Sequence, residues 1–233
     1  MKLISFMVRR PEYPWQDWEA GVRAAGLDLA YNWSREFRYG APEIVVSTWH
    51  PYGGAGEIAV RHRLAGGMHV VLENGYVRRD AAGQEYFLLE LDGFNGKGMH
   101  PGGGPERWAG FGAALAPWRT GGAKVVVFGQ RGGGYSAYAM PTAWPGDVCR
   151  RLQIITRRSI AFKAHPGARR AFPVPEGIEC LDPHLAPALA LAQAHCAVVW
   201  TSNAATDALI MGIPVFYEGP SLKLAGLARQ GIE

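Results

Sequence analysis

Residues Ala197–Tyr217 read AVVWTSNAATDALIMGIPVFY. An unbroken apolar run (Ala197–Trp200) is followed by small polar residues, then by a stretch from Ala204 to Met211 with helical spacing, a glycine at 212, and a second apolar run, Pro214–Tyr217. Runs that are apolar at every position, rather than at alternate ones, are strands buried on both faces, as in a parallel sheet covered by helices. Gly212 supplies a helix stop. The unit is therefore strand, loop, helix, strand, with a right-handed crossover.

Working outward, the same grammar repeats. Ala123–Phe128 (AKVVVF) is an expected strand, Asp147–Arg158 a helix with apolar residues at Val148, Leu152 and Ile155, and Ile160–Lys163 a strand. Ile178–Leu181 is a short strand and Pro183–His195 an Ala/Leu-rich helix. The first half gives strands at Leu3–Val8, Ile44–Trp49, His69–Glu73 and Tyr86–Leu91, the last an edge or hairpin strand, and helices at Trp15–Ala25 and Glu57–Leu64. Gly93–Gly122 is rich in glycine and proline. The expected fold class is α/β, two Rossmann-like doubly wound domains facing a cleft: residues 1–100, a linker at 101–122 around a short helix near Arg107–Leu115, and residues 123–233.

Composition bounds the function. A chain of 233 residues with 48% hydrophobic content fills a real core. Cys149, Cys180 and Cys196 lack CxxC spacing, which argues against a disulfide framework or a zinc site. Met1–Val8 is too short an apolar run for a leader or a span, so the expectation is a cytoplasmic protein with no membrane partner. Lys and Arg balance Asp and Glu at 13 each in residues 1–120, whereas residues 121–233 hold 11 against 7. The excess of positive charge thus belongs to the second half, where it suits a polyanionic ligand.

In open parallel sheets ligands bind beyond the carboxyl ends of the strands. Four places qualify. Gly129-Gln130-Arg131, opening the run GQRGGG, offers backbone N–H groups and a guanidinium, without the GxGxxG or P-loop pattern. Lys163-Ala164-His165-Pro166 puts two basic groups at a strand end, with Arg169 and Arg170 beyond. Ser202, Asn203 and Thr206 open the helix of the deciding stretch, where they serve as a phosphate site or as an ordinary cap. Glu218 follows the last strand and is placed to accept from ribose hydroxyls.

The run VVWTSNAATDALIMGIPVFYEGPSLK, preceded by FKAHP and VVVFGQ, resembles the nucleotide-sugar half of GT-B glycosyltransferases and related polysaccharide-synthesis enzymes over about 110 residues, through the pattern S-N-x-x-x-D-A-L-x-x-G-x-P-V. LENGYVRRD, LELDGFNGKG and RWAGFGAALAPWR look like phage-encoded glycosyltransferase-like proteins, some associated with DNA-base modification. The resemblance implies a glycosyltransferase that takes a nucleotide sugar, UDP-linked, as co-substrate. His165, Ser202, Asn203 and Thr206 would lie near the diphosphate and Glu218 near the ribose. It also implies metal independence, no further cofactor, and DNA carrying a hydroxymethyl pyrimidine as acceptor, in a host cytoplasm. The chain is short for such a two-domain enzyme and stops at Glu233 soon after Pro220, the pattern of a truncated or minimal form.

Inverting transfer needs a base for the acceptor hydroxyl. Asp92 is the first candidate and Glu73 the second, with His50 and His100 behind them. Glu90-Leu91-Asp92 reads as strand alternation rather than a metal-binding DxD. Trp15, Trp18, Trp33, Trp49 and Tyr52 offer rings on which a sugar or an extruded base could stack, with Trp15 and Trp18 also at core-face spacing. The alternatives are a polysaccharide or small-acceptor transferase, a nucleotide-sugar epimerase, and a non-catalytic nucleic-acid-binding protein.

Overall fold

A computed structural model of the chain describes residues 2–6, 15–32, 36, 38–40, 42–48, 55–79, 83, 85–93, 96–98, 105–132, 139–168 and 170–232. In chain order its elements are β1 (Lys2–Ser5), α1 (Trp15–Ala24), β2 (Asp28–Tyr31), β3 (Ile44–Thr48), α2 (Ala55–Leu64), β4 (His69–Arg79), β5 (Glu85–Leu91) and α3 (Glu106–Gly110). They continue with β6 (Lys124–Phe128), α4 (Trp144–Ile155), β7 (Ser159–Lys163), β8 (Glu179–Leu181), α5 (Pro187–Leu191), β9 (Ala194–Val199), α6 (Ala204–Ile210), β10 (Val215–Tyr217) and β11 (Arg229–Gln230). The chain divides into two compact units, Met1–Arg79 with Gln84–Glu106, and Asp80–Gly83 with Arg107–Glu233.

The first unit holds a sheet of order β2-β1-β3-β4-β5, parallel except for the antiparallel β4–β5 pair. Its strands alternate between two cores. Leu3, Ile44, Val46 and Leu72 meet Val22 and Trp18 of α1 on one face. Ile4, Val45 and Phe6 meet Ile58 and Ala59 of α2 on the other. This is a doubly wound sheet: the chain leaves β1 for β2 on one side and returns to β3 on the other.

The second unit is a six-stranded, wholly parallel sheet of order β11-β10-β9-β6-β7-β8. From β6 the chain steps outward through β7 and β8, then returns to the other side of β6 for β9, β10 and β11. Val125, Val127, Ile160, Phe162 and Val198 bury against α4. Val126, Phe128, Ala197, Val199 and Val215 bury against α5 and α6. The apolar runs of the sequence are therefore strands sandwiched between helical layers, and the fold is the α/β class expected.

Several boundaries differ from the sequence reading. The helix expected over Pro183–His195 is only Pro187–Leu191, because the sheet claims the end of the run: Ala194 pairs with Lys124, and the Gln193 carbonyl accepts the N–H groups of Ala123 and Lys124. Arg119 closes this short helix by donating from one guanidinium nitrogen to the carbonyls of Leu191, Ala192 and Ala194, at 3.1, 2.9 and 3.0 Å. β4 extends to Arg79 rather than ending at Glu73, through an irregular register after Asn74. No described helix is long and apolar enough to cross a membrane.

Residues Ala116–Arg119 run as a strap behind α6: Ala116 N–H donates to the Ile210 carbonyl (2.9 Å) and Arg119 N–H to that of Gly212 (2.7 Å). Gly212 has φ +66, and a Cβ there would lie 2.1 Å from the Pro117 carbonyl oxygen. Left-handed backbone and overpacking then act together, so Gly212→Ala should cost roughly 2 kcal/mol or more. Urea unfolding followed by tryptophan fluorescence should show a lowered midpoint; an unchanged midpoint would mean that the strap is not held as described.

Candidate functional site

Parallel strands end together, so the loops after β6, β7 and β9 emerge at one sheet edge in the lateral order β9-β6-β7. Connections leave β6 and β9 in opposite directions, which opens a crevice between their carboxyl ends. Gln130 and Thr201, one from each strand end, join across it: the Gln130 amide donates to the Thr201 hydroxyl at 2.7 Å. Thr201 is 5% exposed, and its partner lies 71 residues away in sequence, so the pairing carries no sequence signal.

The glycine-rich loop is partly committed to the fold. Gly129 N–H donates to the Lys163 carbonyl (2.9 Å), and Gln130 N–H points at the Met140 sulfur (3.4 Å). What the loop presents is the exposed Arg131. Its guanidinium lies over Gly167, where any Cβ would meet the Arg131 Nε at 2.8 Å. A side chain at residue 167 would displace the Arg131 guanidinium from this position.

His165 stands beside this pair. Its Nδ1 accepts the Gly167 N–H at 2.9 Å, so the neutral ring carries its proton on Nε2, as a donor. Burial holds the imidazole below its ordinary pKa, helped by the positive charges of Arg131 and Lys163. Lys163 is itself 5% exposed, and its ammonium donates to the Pro183 carbonyl at 2.8 Å. Desolvation lowers its pKa too, against the pull of Asp182. Arg170 is exposed beyond the loop; Arg169 lies outside the described residues.

The β9–α6 loop contributes Ser202, Asn203 and Thr206, all half-buried. Ser202 Oγ accepts the Ala204 N–H at 3.3 Å, a local turn bond. Asn203 makes no side-chain cap; its carbonyl oxygen accepts from the Lys223 ammonium. One turn on, burial raises the Asp207 carboxyl to a pKa of about 6. Glu218, after β10, is held from two sides: Arg151 of α4 donates to both of its oxygens at 2.6 Å, and Trp144 Nε1 donates to Oε2 at 2.7 Å. Trp144 in turn meets the Trp200 ring edge-on, with centroids 5.7 Å apart. The Arg151 and Trp144 partners carry no signal in the sequence, since each is more than 60 residues from Glu218.

In the first unit Asp92 sits at the end of β5 with φ +57. Its Oδ1 accepts the His69 N–H (2.8 Å) and its own N–H donates to the His69 carbonyl (2.7 Å), so this carboxylate clamps the start of β4. Glu73 is half-buried on β4, opposite Leu88. Glu90, read from sequence as mere strand alternation, is fully buried. It accepts from the Tyr76 hydroxyl (2.7 Å) and from the N–H groups of Gly96 (3.2 Å) and Gly98 (2.9 Å). Trp18 packs on the α1 core face. His50, His100, Trp33, Trp49, Tyr52 and the Trp15 side chain lie outside the described residues. Among the described residues no three His, Cys, Asp or Glu side chains gather at metal-binding distance.

No protein family's profile matches the sequence, and no curated protein matches it either. Solved structures do. KpsC of Thermosulfurimonas dismutans, beta Kdo 2,4 transferase, superposes with a TM-score of 0.66 at 15% identity, covering 98% of this chain and 83% of that one. KpsC of the same organism, beta Kdo 2,7 transferase, gives 0.55 at 14% identity, covering 98% and 82%. The chain thus has a glycosyltransferase-like fold of the GT-B kind.

The His165 geometry makes a titration prediction. A folded pKa below the unfolded value of about 6.5 means that, as pH falls, the unfolded chain takes up this proton first. His165 therefore leaves stability unaffected above that pH and reduces it as pH falls toward the depressed folded value. NMR titration of the imidazole should give a midpoint below about 6.5, moving upward in Arg131→Ala. A midpoint at or above that value in the unsubstituted protein would contradict the placement.

Proposed function

We propose that the chain is a glycosyltransferase that moves a sugar from a nucleotide-sugar donor to a hydroxyl acceptor, with the second unit holding the donor. The observation carrying this reading is the convergence of Arg131, Lys163 and His165 at the carboxyl ends of β6 and β7, beside the crevice that Gln130 and Thr201 bridge. The two positive charges that lower His165 come from the neighbouring loops, and no carboxylate is among the groups that shift it. Such a site suits the negative charge that grows on a departing nucleotide phosphate.

In this reading His165 Nε2–H and Arg131 bind phosphate oxygens, while Ser202, Asn203 and Thr206 border the same pocket. Gly129 and Gln130 shape it, their own N–H groups being engaged. Glu218, oriented by Arg151 and Trp144, retains lone pairs for ribose hydroxyls. The acceptor oxygen forms its bond to the anomeric carbon as the bond to the nucleotide phosphate breaks. A first-unit carboxylate takes the hydroxyl proton. Asp92 is the first candidate for this role and Glu73 the second; the Asp92 carboxylate also accepts the His69 N–H.

The similar structures are named as Kdo transferases, so Kdo is the first sugar to try. Hydroxymethylated DNA, the acceptor suggested by the sequence, belongs in the same experiment. UDP-, GDP- and CMP-linked sugars would be offered with oligosaccharides or with hydroxymethylated DNA, and products weighed by mass spectrometry. One donor should stabilise the protein by about 2.7 kcal/mol at a hundredfold excess over its Kd. His165→Ala should weaken that donor tenfold or more, in line with a lost charge-assisted hydrogen bond. Steeply salt-sensitive DNA binding with no nucleotide-dependent stabilisation would instead favour the nucleic-acid-binding alternative.

A further inference from the structure

The edge of the second sheet opposite the candidate site, where the strands begin, has a different chemistry. α4 ends there with Ile154 and Ile155, which are 83% and 55% exposed. The strap behind α6 brings Leu115 and Trp118 to the same edge, 66% and 62% exposed, since Trp118 lies between Ala116 and Arg119, which bond to Ile210 and Gly212 at the end of α6. Leu227, 63% exposed, lies two residues before the start of β11. Half of the exposed large apolar side chains among the described residues therefore gather at one edge.

Exposed basic residues share this edge. Arg157 and Arg158 lie between α4 and β7, and Arg229 opens β11. Of the acidic groups at the β8 corner, Glu176 is exposed and Glu179 is already paired with Lys124. Trp118, Leu227 and Arg229 also line an open concavity of about 450 Å³. From β11 to β7 is four strand spacings, about 19 Å across the sheet, with α4 on one face and α6 on the other.

A tryptophan, aliphatic side chains and arginines on a single edge are what an interfacial contact with an anionic bilayer requires: apolar groups enter the acyl boundary while guanidinium groups meet headgroup phosphates. We propose that this edge docks the protein on an anionic lipid surface. Docked so, the strand ends carrying His165 and Arg131 point away from the lipid, toward solution. The protein has no described spanning helix, and this contact needs none. The inference is independent of the sugar-transfer reading, because it rests on surface chemistry alone.

Flotation of the full chain with vesicles of equal phosphatidylcholine and phosphatidylglycerol, against phosphatidylcholine alone, tests it. Binding to the anionic vesicles is expected, weakened in 1 M salt. Trp118→Ser with Ile154→Ser should lower vesicle partition at least tenfold, and Arg157→Glu with Arg158→Glu should abolish the preference for anionic lipid. Leu115→Ser with Leu227→Ser repeats the apolar test should the first pair disturb folding, as read by circular dichroism. Absence of flotation, or flotation unchanged in the variants, would overturn the proposal. So would a concentration-dependent dimer in sedimentation that the serine variants dissolve, which would make the edge an interface between copies of the chain.

Discussion

Adjacent strands β6 and β9 run parallel while their connections leave in opposite directions, and this constraint organises the rest of the second unit. At the gap between their carboxyl ends the described loop residues bond to one another. Gln130 reaches Thr201 across the gap, and Gly129 reaches back to the Lys163 carbonyl. The Arg131 guanidinium lies over residue 167, where a Cβ would come within 2.8 Å of its Nε. These contacts tie the first residues after β6 to the ends of β7 and β9.

The electrostatics follow from that packing. Burial first, and then the positive charges of Arg131 and Lys163, lead His165 to give up its proton more readily. A neutral His165 with its proton on Nε2 still donates to an anion, and the Gly167 bond sets that tautomer. Acidic groups near this edge are handled separately: Glu218 is bound by Arg151 and Trp144, and burial favours the protonated form of Asp207.

Much of the fold was legible because strands buried on both faces leave continuous apolar runs such as Val125–Phe128 and Ala197–Val199. Short edge elements were not: β2 and β11 have four and two residues and no distinguishing pattern. The Ala/Leu run before β9 carries helix propensity, yet pairing with Lys124 takes its last residues into the sheet. At the site, position after a strand was enough to select Arg131, His165 and Ser202. Contacts distant in sequence were invisible: Thr201 under Gln130, Arg151 on Glu218, and the Tyr76 and glycine donors around Glu90. The duty of Asp92 as a backbone clamp also depends on a residue 23 positions away.

The two sheet edges of the second unit therefore differ in kind, one polar and cationic in a crevice, the other apolar and basic on an exposed rim. Hydrogen–deuterium exchange with and without a saturating nucleotide sugar, chosen from UDP-, GDP- and CMP-linked donors, tests the central claim most directly. The account predicts slowed exchange in residues 130–132, 165–168 and 200–206 together, because one ligand touches all three loops. Exchange slowed only within residues 69–92, or unaltered in those three loops while sugar is transferred, would contradict it.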